Sequence, residues 1–181
     1  MRMFPLFLLS ALLAVTVPAR ALTVLPATFE ELVRESVSVV HGRVREVQGH
    51  WTSDRRTIES TITLDVYAAF KGARTDTATF VVPGGEAGGR ILVMPGAPTF
   101  RPGDEVVIFL RGQAPSMPQP VGLSLGVYRV APGAAGGMAM VVPSPVHAAG
   151  APTIVRRGTA ARRIRPLVSF AADVRAVGDA R

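Results

Sequence analysis

Between residues 57 and 70 the chain alternates with a period of two. Ile58, Ile62, Leu64, Val66, Ala68 and Phe70 share one parity; Thr57, Glu59, Thr61, Thr63, Asp65 and Tyr67 share the other. Successive side chains on a strand point to opposite faces, so the pattern predicts one strand with a buried and a wet side. Ser60 is the one polar residue on the apolar parity. A strand of 14 residues is far longer than the usual five or six. Such a length suits a strand that coils around a small closed barrel.

Residues 106–110, Val-Val-Ile-Phe-Leu, add a second constraint, because they are apolar at every position. A strand greasy on both faces is central and needs cover on its outer side. It follows Arg101-Pro102-Gly103-Asp104, with Pro and Gly at the central positions of a type II turn. Further strands are predicted over 37–48, with a bulge or bend at His41-Gly42, and over 75–82, ended by Pro83-Gly84-Gly85. Residues 90–94 read as a short strand, and 123–130 and 138–142 complete the β region around a Gly-rich turn at 133–137. Thr28-Phe29-Glu30-Glu31 reads as a capping box opening a helix to about Glu35, with Phe29, Leu32 and Val33 on one side. A second helix starts at Pro166, carries Leu167, Phe170, Val174 and Val177 on one face and stops at Gly178. Either helix is placed to cover the two-sided strand. The fold class is therefore mainly β: a small closed or partly open β-barrel, OB-like, with a short N-terminal and a C-terminal helix. A β-sandwich is the alternative.

The first 21 residues have a different character. Met1-Arg2-Met3 precedes an apolar run over 4–17, and Ala19-Arg20-Ala21 puts small residues at minus three and minus one. This is the pattern of a secretory signal peptide cleaved near Ala21; the run is too short to span a hydrocarbon core of roughly 30 Å. The expected location is periplasmic or extracellular, with no transmembrane segment in the mature chain. The chain has no cysteine, which excludes disulfides, a zinc-thiolate site, a thiol nucleophile and lipid attachment through a first mature Cys. Residues 22–150 hold eleven Lys or Arg against eleven Asp or Glu, whereas 151–181 hold seven Arg against two Asp. The positive excess of the mature chain sits in its tail. The organisation read from these shifts is signal peptide 1–21, β-barrel domain 22–142, Pro/Ala/Arg-rich linker 143–165 and C-terminal amphipathic helix 166–178.

The series Gly42-Arg43-Val44, Phe70-Lys71-Gly72, Pro83-Gly84-Gly85 with Gly88-Gly89, residues 100–110 and Gly122 onward to Val130 resembles a family of uncharacterised exported bacterial β-domain proteins. The resemblance covers roughly residues 30–142 and implies an envelope or secreted β-domain without an assigned activity. More distantly, strand, Lys-Gly, strand and Pro-Gly-Asp are similar to the netrin-like OB modules of metalloproteinase inhibitors. Those modules rely on cysteines, so the inhibitory mechanism does not carry over to a chain with none.

Gly122-Leu123-Ser124-Leu125-Gly126 matches the G-x-S-x-G pattern of serine hydrolases, in which the Ser sits on a strained strand-to-helix turn with an acid and then a His downstream. Here residues 127–130 read as strand, the downstream His is His147, and no Asp or Glu lies between it and Ser124. Small residues fitting a tight barrel strand explain the motif better. His41, His50 and His147 are scattered without ligand spacing; His50 with Asp54 is the best pair, and His41 reads as a structural hydrogen-bonder. No metal or cofactor is expected. Pro83 and the glycines Gly84, Gly85, Gly88 and Gly89 are candidates for ligand contact through a backbone nest, or form a connection between strands. Trp51, the one Trp, lies in a polar loop between two strands, either as an exposed stacking platform or as a plug in the barrel end. Arg156, Arg157, Arg162, Arg163 and Arg165 form either a solvated segment or an anion-binding one.

These features point to an exported, non-catalytic binding domain whose partner is a protein or an anionic envelope component, which the expected compartment ranks above nucleic acid. A small serine hydrolase using Ser124, and a structural accessory docking through the C-terminal helix, are the alternatives. The mature protein should begin at Leu22; intact mass on exported material measures this, and retention of residues 1–21 would contradict export.

Overall fold

The computed structural model describes residues 28–112, 114–133, 137–145 and 163–180; the expected signal peptide, His147, Arg156, Arg157 and Arg162 lie outside them. Helix α1 (Phe29–Glu35) opens with the expected capping box. The Thr28 amide donates to the Glu31 carboxylate at 2.7 Å, and the Glu31 amide donates to the Thr28 hydroxyl at 3.2 Å. Its other end is closed by Lys71, whose ammonium donates to the carbonyls of Val33 and Ser36. A cation belongs there, since the last carbonyls of a helix lack partners and carry its negative end.

The strands are β1 (Ser38–Trp51), β2 (Ile58–Lys71), β3 (Thr77–Pro83), β4 (Gly85–Ala87), β5 (Arg90–Leu92), β6 (Glu105–Arg111), β7 (Gln119–Pro120), β8 (Val127–Ala131), β9 (Met140–Pro143) and β10 (Arg165–Pro166). Helix α2 (Leu167–Asp179) ends the described chain. One antiparallel sheet runs in the order β10-β9-β8-β6-β1-β2-β3, with β7 beside β6; β4 and β5 form a separate hairpin. Among the described residues no ladder joins β3 to the far part of the sheet. One backbone bond, from the Val81 amide to the Pro118 carbonyl at 2.9 Å, links β3 to the segment entering β7. The chain is thus mainly β with two helices, and no helix among the described residues is long and apolar enough to cross a membrane.

Strand β6 faces two cores. Val107 and Phe109 pack with Phe29, Leu32, Phe170 and Val174 beneath the helices. Val106, Ile108 and Leu110 pack with Ile62, Leu64, Phe80 and Phe100 on the other side. Both helices cover the strand. Strand β2 keeps its parity throughout yet serves both cores: Ile62 and Leu64 enter the inner one, while Phe70 enters the helical one. Register shifts in β1, one of them between His41 and Gly42, accompany this change, as bulges do where a strand bends. His41 hydrogen-bonds Glu105 at 2.8 Å and is flanked by the rings of Tyr67 and Phe70.

Several boundaries differ from those expected. Residues 123–126 form a 3₁₀ turn, so the strand starts at Val127; the left-handed backbone at Gly122 and Leu123 breaks the extension. Pro166 caps α2 from outside while pairing with Met140 in the sheet. Gly178 lies inside the last turn, and the helix ends at Asp179. At the two ends of the segment expected as a linker over 143–165, Pro143 belongs to β9 and Arg165 pairs with Val141.

Helix α2 buries its apolar face within the molecule. Phe170 is 0% exposed, with its ring 4.9 Å from Tyr128, 5.4 Å from Phe29 and 6.0 Å from Phe109. Phe170→Ala should therefore lower unfolding free energy by about 3–5 kcal/mol. Denaturant titration measures it, and a loss of under about 1 kcal/mol would mean that α2 does not seal this core.

Candidate functional site

The inner core is open at one end, and the β4–β5 hairpin stands over the opening. Its turn is Gly88-Gly89, both in the left-handed region, as a two-residue hairpin turn of the type matching strand twist requires. The hairpin is seated by two features of the long strands. A Cβ on Gly49 would lie 2.0 Å from the Glu86 carbonyl oxygen, so only glycine lets β4 cross β1 so closely. Ser60, the polar exception on the buried parity of β2, donates its hydroxyl to the Gly84 carbonyl at 2.8 Å. The Gly84 amide donates to the Ile58 carbonyl at 2.8 Å. A buried hydroxyl needs a partner, and here the partner is the root of the hairpin.

Between hairpin and sheet lies a cleft of ≈ 1040 Å³, lined by residues that include Val47, Ile62, Val82, Leu92, Met94 and Phe100. Gly84, Gly85, Gly88 and Gly89 line it too, so the glycine-rich stretch singled out in the sequence borders a cavity, as a hairpin of its own. Its outer lip is apolar: Ile91 is 72% and Val93 is 77% exposed. Glu86 is the one acidic side chain along the wall; it is exposed while its neighbour Ala87 is buried.

Trp51 ends β1 and is half-buried. Its indole nitrogen is 3.4 Å from where a Gly88 Cβ would stand, so this residue and the glycine stretch meet at one corner. The Arg90 guanidinium lies 5.9 Å from the Trp51 ring centroid. Trp51, Thr52, Ser53, Arg55 and Arg90 line a second, shallower concavity of ≈ 590 Å³. Arg55 has φ +55°, a left-handed conformation that costs a non-glycine residue roughly 1–2 kcal/mol. Neighbouring Asp54 accepts from the Thr52 hydroxyl at 2.6 Å and the Arg56 amide at 3.1 Å. Those bonds, the hydroxyl first, hold its carboxyl below the usual value. Asp54 therefore does not join His50, which pairs with Glu59 at 3.1 Å. No group of three or more metal-ligating side chains occurs among the described residues.

Ser124 is 2% exposed and donates its hydroxyl to the Gly96 carbonyl at 2.9 Å, which ties down the loop carrying Pro95, Ala97 and Pro98 along the cleft. It stands on a 3₁₀ turn leading into a strand, where the hydrolase motif needs a turn leading into a helix. Of the basic stretch, Arg163 is exposed. Arg165 is engaged internally: it pairs with Asp173 at 2.5 Å and stacks 4.4 Å from the Phe29 ring centroid and 4.7 Å from that of Phe170.

Sequence reasoning missed the cleft's walls. Val47 and Ile62 read as ordinary strand residues, and Ile91, Val93 and Phe100 carried no distinguishing pattern. Besides the glycine stretch, the available signal was Ser60, a hydroxyl where the period demands an apolar residue. No family model matches this chain, and no curated protein or solved structure matches it either.

Proposed function

We propose that this chain is an exported, non-catalytic binding domain that takes an apolar ligand in the cleft beneath the β4–β5 hairpin. The observation that carries the proposal is the apolar cleft of ≈ 1040 Å³ with exposed Ile91 and Val93 at its lip. Ligand sites are concave, mostly apolar and few per protein, at about 300–1,000 Å³, and exposed apolar side chains gathered at one rim mark a surface awaiting cover. An OB-like arrangement belongs to the same proposal. Taken in chain order, β1, β2, β3, β6 and β8 lie as third-second-first-fourth-fifth, the neighbour order of such a barrel left open between its third and fifth strands. In such barrels the loop after the first strand borders the ligand face, and Trp51 stands at the start of that loop.

The buried hydroxyl of Ser124, donated to a carbonyl, favours the binding reading over the hydrolase one. The internal packing of Phe170, Ala171 and Val174 likewise weighs against the C-terminal helix as a docking surface. Arg156, Arg157, Arg162 and Arg163 remain the segment proposed to meet an anionic envelope component, without Arg165.

The test is fluorescence titration of the mature protein with N-phenyl-1-naphthylamine, an uncharged apolar probe that brightens on leaving water. The wild type should bind it saturably. Ile91→Glu with Val93→Glu, both at exposed positions, should weaken binding by about tenfold, or about 1.4 kcal/mol, with an unchanged melting curve. No saturable binding, or equal binding by the double variant, would contradict the proposal. Stoichiometric fluorophosphonate labelling at Ser124 would favour the hydrolase instead.

A further inference from the structure

The apolar cleft and the arginine-bearing concavity adjoin. Gly88 and Gly89 line the first; Arg90, the next residue, lines the second together with Arg55 and Trp51. The Trp51 indole nitrogen approaches Gly88 at the corner between them. Several arginines of the sheet and its β1–β2 loop are matched with carboxylates: Arg43 with Glu105, Arg45 with Asp65, Arg56 with Asp54 and Arg129 with Asp104. Among the described residues no carboxylate pairs with Arg55 or Arg90, although Asp54 is a sequence neighbour of one and Glu86 is in the hairpin with the other. Asp54 is committed to Thr52 and Arg56. Two guanidinium groups free of carboxylates thus share one concavity at the mouth of an apolar cleft.

The backbone at Arg55 is a second observation. The β1–β2 loop closes with the Thr52 amide donating to the Thr57 carbonyl and the Arg55 amide to the Thr52 carbonyl. The loop needs a left-handed residue at position 55, where glycine fits without strain. An arginine there carries a local cost with no ion pair among the described residues in return. Strain of this kind gathers where a side chain is used.

We infer that the cleft takes an anionic single-chain amphiphile, its chain against Ile62, Leu92 and Phe100 and its head group between Arg55 and Arg90 beside Trp51. This rests on the binding reading above and adds the class of ligand. The apolar walls accept the chain by excluding water. Two guanidinium groups supply charge-assisted hydrogen bonds to a carboxylate or phosphate head. The half-buried indole gives the first carbons below the head an apolar face. Arg90 belongs to the hairpin and Arg55 to the β1–β2 loop, so the head group bridges two elements beside Trp51.

The experiment displaces N-phenyl-1-naphthylamine from the mature protein with decanoate or 1-decanol at neutral pH, below the concentration at which decanoate aggregates. The two share a chain and differ in the head. Wild type should take decanoate at least about tenfold more tightly than decanol. Arg55→Gly with Arg90→Gln should lose that preference while its affinity for decanol stays the same. Arg55→Gly alone should also raise the melting temperature, since glycine relieves the left-handed strain; a gain in stability with a loss of decanoate binding separates a ligand contact from a damaged fold. Equal affinity for acid and alcohol in the wild type, or a preference that survives in the double variant, would overturn the head-group assignment and leave the apolar cleft standing. Failure of both compounds and of the probe would overturn the binding reading and this inference with it.

Discussion

Strand β6 is the wall both halves of the molecule share. Because Val106 to Leu110 are apolar on both faces, water must be excluded on both sides at once. One side is closed by α1 and α2, whose Phe29 and Phe170 meet Phe109 edge-on. The other is closed by the curl of β1, β2 and β3, which brings Ile62, Leu64 and Phe80 across from Ile108. Neither closure is local. The helical cover comes from residues at both ends of the described chain, and β2 reaches both cores through its length. Two hydrogen-bonded clamps, Lys71 on the end of α1 and His41 against Glu105, tie those distant covers to the sheet.

The two cores differ in how completely they are sealed. Around Phe170 the aromatic rings interlock, and Arg165 lies across Phe29 and Phe170 as the outermost layer. The inner core ends at the cleft instead, where the cover is a hairpin with three residues in each strand. That hairpin touches the sheet through the close crossing at Gly49 and the Ser60 hydroxyl. A short two-stranded unit has little stability of its own, so its position depends on those anchors. One core is sealed by interlocked rings and the other ends in a cleft, a division that suits the proposed binding role.

Much of the fold could be read from the sequence because it rests on local periodicity. The parity of β2, the two-sided β6, the capping box at Thr28, the bend at His41 and the apolar face of α2 all depend on residues within one element. The cleft was not legible in that way. It arises where residues 84–100 come down upon 47–62, and neither segment announces the approach; only the serine at 60 breaks its pattern, and the acceptor it serves lies 24 residues away. Composition misled at Arg165, which belongs by sequence to a basic run and by structure to an aromatic stack. At Ser124 the sequence argues against a nucleophile, but the tight strand expected there is a 3₁₀ turn leading into a strand. Trp51 and the glycines were each visible as candidates, but their meeting at Gly88 is a product of strand register.

The claim at the centre of this account is the proposal that the cleft between the β4–β5 hairpin and the sheet takes a ligand. Hydrogen exchange read by mass spectrometry, with and without decanoate, tests it most directly. Peptides covering 84–94 should exchange early in the free protein and slow markedly on addition of decanoate, while those covering 105–111 stay protected in both states. A hairpin as protected as β6 in the free protein, or one that ignores the ligand while α2 responds, would contradict it.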